Sequence, residues 1–291
     1  QIGSGVTLDA AHAGRLMRLE GQTVSQSEIG GYISVSWLAP NMDGIFVDSP
    51  SARRRFLDRL VIAFDPAHIG RMARYEKALR QRSILLTKGQ SDTSWLQSLE
   101  AVLAETAVAV TAARQTLIRD LNQEAKKGWL GFPGVWLDLV GDTEQWLTDM
   151  PALQVEDKLM AAAKAARLAG DAAMPGPHAS DLQAVHLASQ TPAYLASTGQ
   201  QKALLIAVVL AHARLQANRL GKSPLMLLDD VAAHLDADRR SALFEAVGLL
   251  GGQCWYSGSD EKQFDDLMGK AQFVLVRPAS QFDQTPEFEV K

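Results

Sequence analysis

The spacing of apolar side chains changes character twice along the 291 residues. Residues 1–48 carry short alternating runs. "GRLMRLEGQTV" predicts a hairpin turning at Glu20-Gly21, and "YISVSWL" (32–38) predicts a half-buried strand with Ile33, Val35 and Trp37 facing inward. Over 49–168 the apolar period lengthens to that of helices. Ser49-Pro50 sets a capping hydroxyl before a proline at the first helical position, and Asp65-Pro66 repeats the device. Asp92 opens a long Ala- and Leu-rich run, which "KKGWLGFPGVWLDLVG" (126–141) breaks with Gly and Pro before a fourth helix in "VEDKLMAAAKAARLAGDAA". The tryptophans at 129, 136 and 146 are expected to pack this helical region. From 178 onward strands and helices alternate: "DLQAVHL", then the apolar helix after "STGQ", then "PLMLLDD", "DADRRSALFEAVGLL", "QCWYSG", "DEKQFDDLMG" and "AQFVLV". Alternation of this kind predicts an α/β fold, a parallel sheet covered by helices with its chemistry at the carboxyl ends of the strands.

Composition narrows the picture. The chain is 47% hydrophobic and 21% charged, enough to build a sizeable core. A single cysteine, Cys254, excludes an intramolecular disulfide and is read as a buried small side chain. No uninterrupted apolar run reaches the ~18–20 residues of a membrane helix; the longest is 203–211. With no basic-then-apolar leader visible, a cytoplasmic protein without membrane association is expected. The net charge of −4 argues against nucleic acid, but its distribution does not. Residues 51–88 hold ten Lys/Arg against three Asp/Glu, leaving the remainder near −11. Arg53, Arg54, Arg55 and Arg59 lie on one expected helix, and Arg71, Arg74, Lys77, Arg80 and Arg82 on the next. This flank is either a solvated helix face or a surface for a phosphate backbone.

Two stretches carry the chemistry. Ser197-Thr198-Gly199-Gln200 runs straight into an apolar helix, so free N–H groups and the positive end of a helix dipole meet at a small side chain, which suits a phosphate. About 30 residues on, "LMLLDD" is an apolar strand with Asp229 and Asp230 at its carboxyl end, placed to hold Mg²⁺ beside a nucleotide and to orient an attacking water. "HLDADRR" follows, with Leu235-Asp236 six residues after the acid pair. Turn, helix, acid-ended strand and Leu-Asp loop, in that order, resemble the second half of an ABC-type ATPase head. Gly221-Lys222-Ser223 is a decoy for a phosphate loop: Gln216 stands where a glycine is required, and a strand follows. His178, His186 and His212 show no metal-ligand spacing, so no metal beyond Mg²⁺ is expected, and His234, in the loop after the acid pair, is read as a packing or interface residue.

The stretches "WLAPNMDGIFVDSPSARRRFLDRLV", "GPHASDLQAVHLASQTPAYLASTGQQKALLIAVVLAHARL" and "PLMLLDDVAAHLDADRR" resemble the RecF family of bacterial DNA-repair proteins over about residues 15–280. The resemblance implies an ABC-type head of the P-loop NTPase superfamily with an inserted helical arm. The expected divisions are 1–48 as the β-rich remainder of an N-terminal lobe, 49–168 as the arm, and 169–291 as the C-terminal lobe. It also implies ATP and Mg²⁺ as cofactors, an ATP-dependent homodimer on single-stranded or gapped DNA, partners of the RecR and RecO type, and help in loading recombinase. By position Ser197, Thr198, Gly199 and Gln200 match the signature turn. Asp229, as Mg²⁺ ligand, and Asp230 match the catalytic acids, Asp236 matches the D-loop acid, and Ser257 lies in the switch segment with Ser259. Arg71, Arg74, Arg80 and Arg82 are the DNA-facing candidates. In such heads the signature turn closes over ATP held by a second subunit.

The chain departs from the family pattern in several places. Gln200 stands for the usual Glu, Asp230 for the Glu of most ABC heads, and Ala179 for an Arg; the switch segment has no histidine. Slow ATP hydrolysis is therefore expected. No Gly-rich phosphate loop occurs, from which a chain lacking its first ~80–100 residues is expected, inactive as it stands. The alternatives are a non-catalytic DNA- or protein-interaction module, or another SMC-like head, against which the short helical insert speaks.

Overall fold

The computed structural model describes residues 2–7, 14–24, 26–88, 93–277 and 287–290. An antiparallel meander comes first: β1 (Ile2–Thr7), β2 (Gly14–Leu19) and β3 (Gln22–Val24). Its hairpin turns at Glu20-Gly21 with both residues at positive φ, a turn whose twist matches the strands. Then follow α1 (Gln26–Tyr32), β4 (Val35–Leu38), α2 (Pro50–Ile62), α3 (His68–Thr87), α4 (Thr93–Ala125), β5 (Val135–Val140), α5 (Asp142–Asp149) and α6 (Ala152–Leu168). The last part runs β6 (Asp181–His186), β7 (Thr191–Pro192), α7 (Thr198–Leu220), β8 (Leu225–Asp229), α8 (Ala237–Leu250), β9 (Cys254–Ser257), β10 (Val274–Arg277) and β11 (Glu287–Val290). Asp92 lies outside the described residues.

The parallel sheet has the order β4-β8-β9, in register Leu38 to Leu228 and Asp229 to Ser257. Helix α7 fills the core beside it: Leu204, Leu205 and Val208 are fully buried, and Met226 and Leu228 pack into the same cluster. The alternating pattern misleads at β4. Ser36 and Leu38 point inward, while Trp37 lies outward. A serine is tolerated inside because its Oγ accepts from Gln216 Nε2 at 3.0 Å. Trp37 instead lies under the Arg59 guanidinium, 5.2 Å from its ring centre.

Two strands expected in the parallel sheet are elsewhere. β6 pairs antiparallel with β5 and β7, and β10 pairs antiparallel with β11. β5 itself lies inside the stretch read as a helix breaker, where its alternation (Val135, Leu137, Leu139 inward) is masked by the neighbouring Gly and Pro. Its Trp136 faces solvent rather than the helical region. Residues Glu261–Leu267 form a kinked 3-10 helix rather than an α-helix.

Apolar side chains gather in two cores. The smaller joins α3, the first half of α4 and α6 through Tyr75, Leu85, Leu103, Ala107, Val155 and Leu159. The larger takes in the parallel sheet and α7, and also Phe56, Leu57, Leu117, Leu121 and Val135 from within 49–168. The long α4 therefore belongs to both cores and connects them. By length and mean hydropathy α4 and α7 could each cross a membrane. Here they bury Glu100, Arg114 and Asn122, and Lys202, His212 and Gln216, against polar partners inside the protein.

Candidate functional site

Helix α7 begins in a capping box. Ser197 is its N-cap: the Oγ accepts from the Gln200 N–H at 3.4 Å, and Gln200 Oε1 accepts from the Ser197 N–H at 3.1 Å. Gln200 thus performs the reciprocal half of the box that a glutamate also performs, without adding charge. Thr198 and Gly199 follow in the first turn, where an N–H has no helical acceptor behind it. No acid occupies that turn, and the four residues 197–200 are exposed. Ala193, 1% exposed, anchors the short 3-10 turn ahead of the cap. The result is a solvent-facing helix start, electropositive through its dipole and open to an anion.

The acid pair sits at the carboxyl edge of the parallel sheet. Asp229 ends β8 opposite Ser257 on β9, and the Ser257 hydroxyl donates to Asp229 Oδ1. Ser257 is therefore the last residue of its strand, aimed at the acid, and not part of the loop beyond. Asp230 turns the backbone over at φ +50°, a left-handed conformation that Asp adopts more readily than most residues. Its N–H donates to Ser257 O at 3.1 Å, while its Oδ1 is buried without a protein partner. An orphaned buried carboxylate oxygen on the residue next in sequence to a second carboxylate suits a hard cation or a fixed water. Asp236 caps α8, its Oδ1 accepting from the Arg239 N–H at 2.8 Å and its Oδ2 lying 3.7 Å from the Arg239 guanidinium. Gly221-Lys222-Ser223 closes α7: Gly221 takes the left-handed C-cap position and Lys222 donates to Tyr32 O at 2.8 Å. Burial pushes the Cys254 thiol up to about 11, which leaves it a poor nucleophile.

The basic flank is less uniform than its sequence. Arg82, expected to face DNA, is 1% exposed. Its guanidinium pairs with Glu100 at 3.3 Å and donates to the carbonyls of Ala163 and Ala172 at 2.9 Å. Glu100 also binds Arg167 at 3.0 Å, so Arg82 ties α3 to α4 and α6 and has no reach to a ligand. The helical period hid this because Arg82 shares a face with Tyr75, Ala78 and Leu85. Arg71 pairs with Asp65, Arg74 meets Glu105 at 3.1 Å with both side chains more than half exposed, and Arg80 is exposed. On α2, Arg53 binds Asp181 at 2.7 Å and Arg54 donates to Ser180 O at 2.6 Å, fastening the helix to β6.

An exposed capped helix start, an acid-ended strand in a parallel sheet and a capped helix after it follow one another as in the fold of an ABC-type head. The fold is shared with solved structures of the recombination mediator protein RecF. One, determined as RecF-ATPrS in the RecFOR pathway, has a TM-score of 0.74 over 90% of this chain and 72% of that chain at 19% identity. Another, RecF-ATP, has a TM-score of 0.69 over 86% and 68% at 20% identity. No protein-family model matches the chain. The DNA replication and repair protein RecF of Mesorhizobium japonicum is 42% identical over 95% of this chain and 74% of its own length. The RecF proteins of Agrobacterium fabrum and Brucella suis are each 41% identical, over 94% and 95% of this chain and 74% and 73% of theirs. The chain belongs to the RecF family of DNA replication and repair proteins.

Proposed function

We propose that this protein is an ATP-gated, DNA-binding recombination mediator that dimerises on ATP at single-strand gaps, works with RecR- and RecO-type partners and helps load recombinase. The observation that carries the reading is the exposed, capped start of α7 at Ser197, on the same head as the acid-ended strand of Asp229 and Asp230. Family membership supports the DNA-repair role, and the RecF structures solved with nucleotide support ATP. The N–H groups of Thr198 and Gly199, with the Ser197 hydroxyl, receive the γ-phosphate of ATP bound to the partner subunit. Asp229 and Asp230 are the two carboxylates that would hold Mg²⁺, which when bound neutralises charge between the phosphates. Ser257 keeps Asp229 oriented, and Asp230 fixes the water that attacks. An aspartate holds that water less closely than a glutamate would, so turnover is slow. Asp236, whose two oxygens meet the Arg239 N–H and the Arg239 guanidinium, fixes the start of α8 at the dimer interface. Arg71, Arg74 and Arg80 contribute to phosphate-backbone contact.

The test is Ser197→Arg in the full-length gene product. The bulky cation blocks the turn, so ATP binding to the monomer stays near parental and ATP-dependent dimers disappear in sedimentation. Dimers of that variant at parental ATP concentrations would refute the role in trans.

A further inference from the structure

Lys202 lies five residues past the Ser197 cap and is only 5% exposed. A buried ammonium there is unfavourable twice over: it has lost water, and it faces the positive end of its own helix. The first turn of α7 supplies no acid to offset it. Asp43 does so from 159 residues away, its Oδ2 accepting from Lys202 Nζ at 3.2 Å. Asp43 ends the 3-10 turn Pro40–Met42 that leaves β4, and its N–H donates to Pro40 O at 3.2 Å. Buried Met42, Ile45 and Phe46 pin that segment into the larger core. Strand β4 ends at Leu38, in register with Leu228, one residue before Asp229. Next to Lys202, Gln201 Nε2 donates to Ala196 O at 2.9 Å and ties the same part of α7 to the residue ahead of the cap. A single charge-assisted contact thus joins the helix bearing the Ser197 turn to the segment leaving the carboxyl edge of the sheet.

We infer that Lys202 and Asp43 are positioning residues, setting where the Ser197–Gln200 turn stands relative to the Asp229–Asp230 edge so that the turn reaches the partner's phosphate. This rests on the reading in trans proposed above. Neither side chain touches nucleotide; both act through the placement of α7. A pair that served folding alone would lower thermal stability and ATP binding together. A positioning pair changes dimerisation while leaving the binding of ATP to one subunit alone.

The test uses the full-length gene product with ATP and Mg²⁺, and three measurements: affinity for a fluorescent ATP analogue, thermal midpoint, and dimer fraction by sedimentation. Lys202→Met removes the charge but keeps the buried stem, and avoids leaving an unpaired buried ammonium. It is expected to hold ATP affinity within about twofold and to weaken ATP-driven dimerisation about tenfold or more, with Lys202→Arg recovering most of the loss. Lys202→Met with Asp43→Asn should match Lys202→Met alone, because the pair is already broken. Parental dimerisation of Lys202→Met beside a monomeric Ser197→Arg overturns this inference and leaves the trans reading standing. A joint loss of ATP affinity, stability and dimer with no recovery by arginine overturns it too. Parental dimerisation of Ser197→Arg overturns the trans reading, and this inference with it.

Discussion

Buried His212 occupies the middle of α7, its Nε2–H donating to Leu60 O at 3.0 Å and its Nδ1 accepting from Gln216 Nε2 at 2.9 Å. Both nitrogens are committed to the neutral ring, and burial lowers the imidazolium pKa to about 4. The unfolded chain binds that proton near pH 6.5, so between the two values the unfolded state holds more protons. The stability this histidine contributes is therefore complete above about pH 6.5 and is lost as pH falls toward 4. Urea midpoints of the parent and of His212→Gln across pH 7 to 4.5 check this. The parent's fall should be steeper by up to about 1.4 kcal/mol per pH unit, the slope set by one proton. Parallel curves for the two proteins would remove His212 as the cause. Asp58 adds to acid lability at lower pH. Burial alone would raise its carboxyl, but hydrogen bonds from His68 and Arg114 more than offset that and hold it below the usual carboxylate range. Single residues of this kind were legible only as types. The acid pair at 229–230 could be read from its strand, but the left-handed backbone of Asp230 and the hydroxyl of Ser257 aimed at Asp229 come from strand register, which no local pattern carries.

At the scale of elements, α3 divides its cations between two tasks. Arg82 is inside, bound to Glu100, while Arg74, Lys77 and Arg80 are exposed. If the exposed three meet a phosphate backbone, replacing them with Gln lowers affinity for every sequence alike. The slope of log K against log[salt] then flattens by roughly 0.7–0.9 for each phosphate that is no longer neutralised. Fluorescence anisotropy of the full-length gene product on a gapped duplex, with ATP at several salt concentrations, measures that slope. An unchanged slope returns α3 to a solvated face. Arg82 is left intact because its removal would take a buried guanidinium from Glu100 and a donor from the Ala163 and Ala172 carbonyls, and would confound binding with unfolding. The cap at Ser49 was legible and starts α2, whereas the matching Asp65-Pro66 does not cap α3, whose N-cap is Ala67 without a side-chain bond. Local pattern failed at β4 and β5, where inward phase depended on a distant partner (Gln216 for Ser36) or was hidden among glycines.

At the scale of the molecule, order of motifs carried more than any single one. Turn, helix, acid-ended strand and Leu-Asp loop, in that order, pointed to the head, and the relatives place the chain in the RecF family. Less legible was the division of the core. Helix α4, read as part of a separate arm, gives its first half to the smaller core and Leu117 and Leu121 to the larger, so the two are bound through one rigid element. Pairing of β6 with β5 was likewise invisible, because antiparallel partners 41 or more residues apart leave no local trace. The central claim is that the Ser197 turn of one subunit completes the site whose acids belong to the other. Mixing two inactive full-length variants, Ser197→Arg and Asp230→Asn, tests it most directly. In a mixed dimer the Ser197→Arg subunit keeps its own acids and receives an intact turn from its partner, so one site of the two is whole. ATP turnover absent from either variant alone is expected to reappear on mixing, approaching half the parental rate per mixed dimer. A mixture as inactive as its components, with the mixed dimer present by sedimentation, would place turn and acids in the same subunit's site and contradict the account.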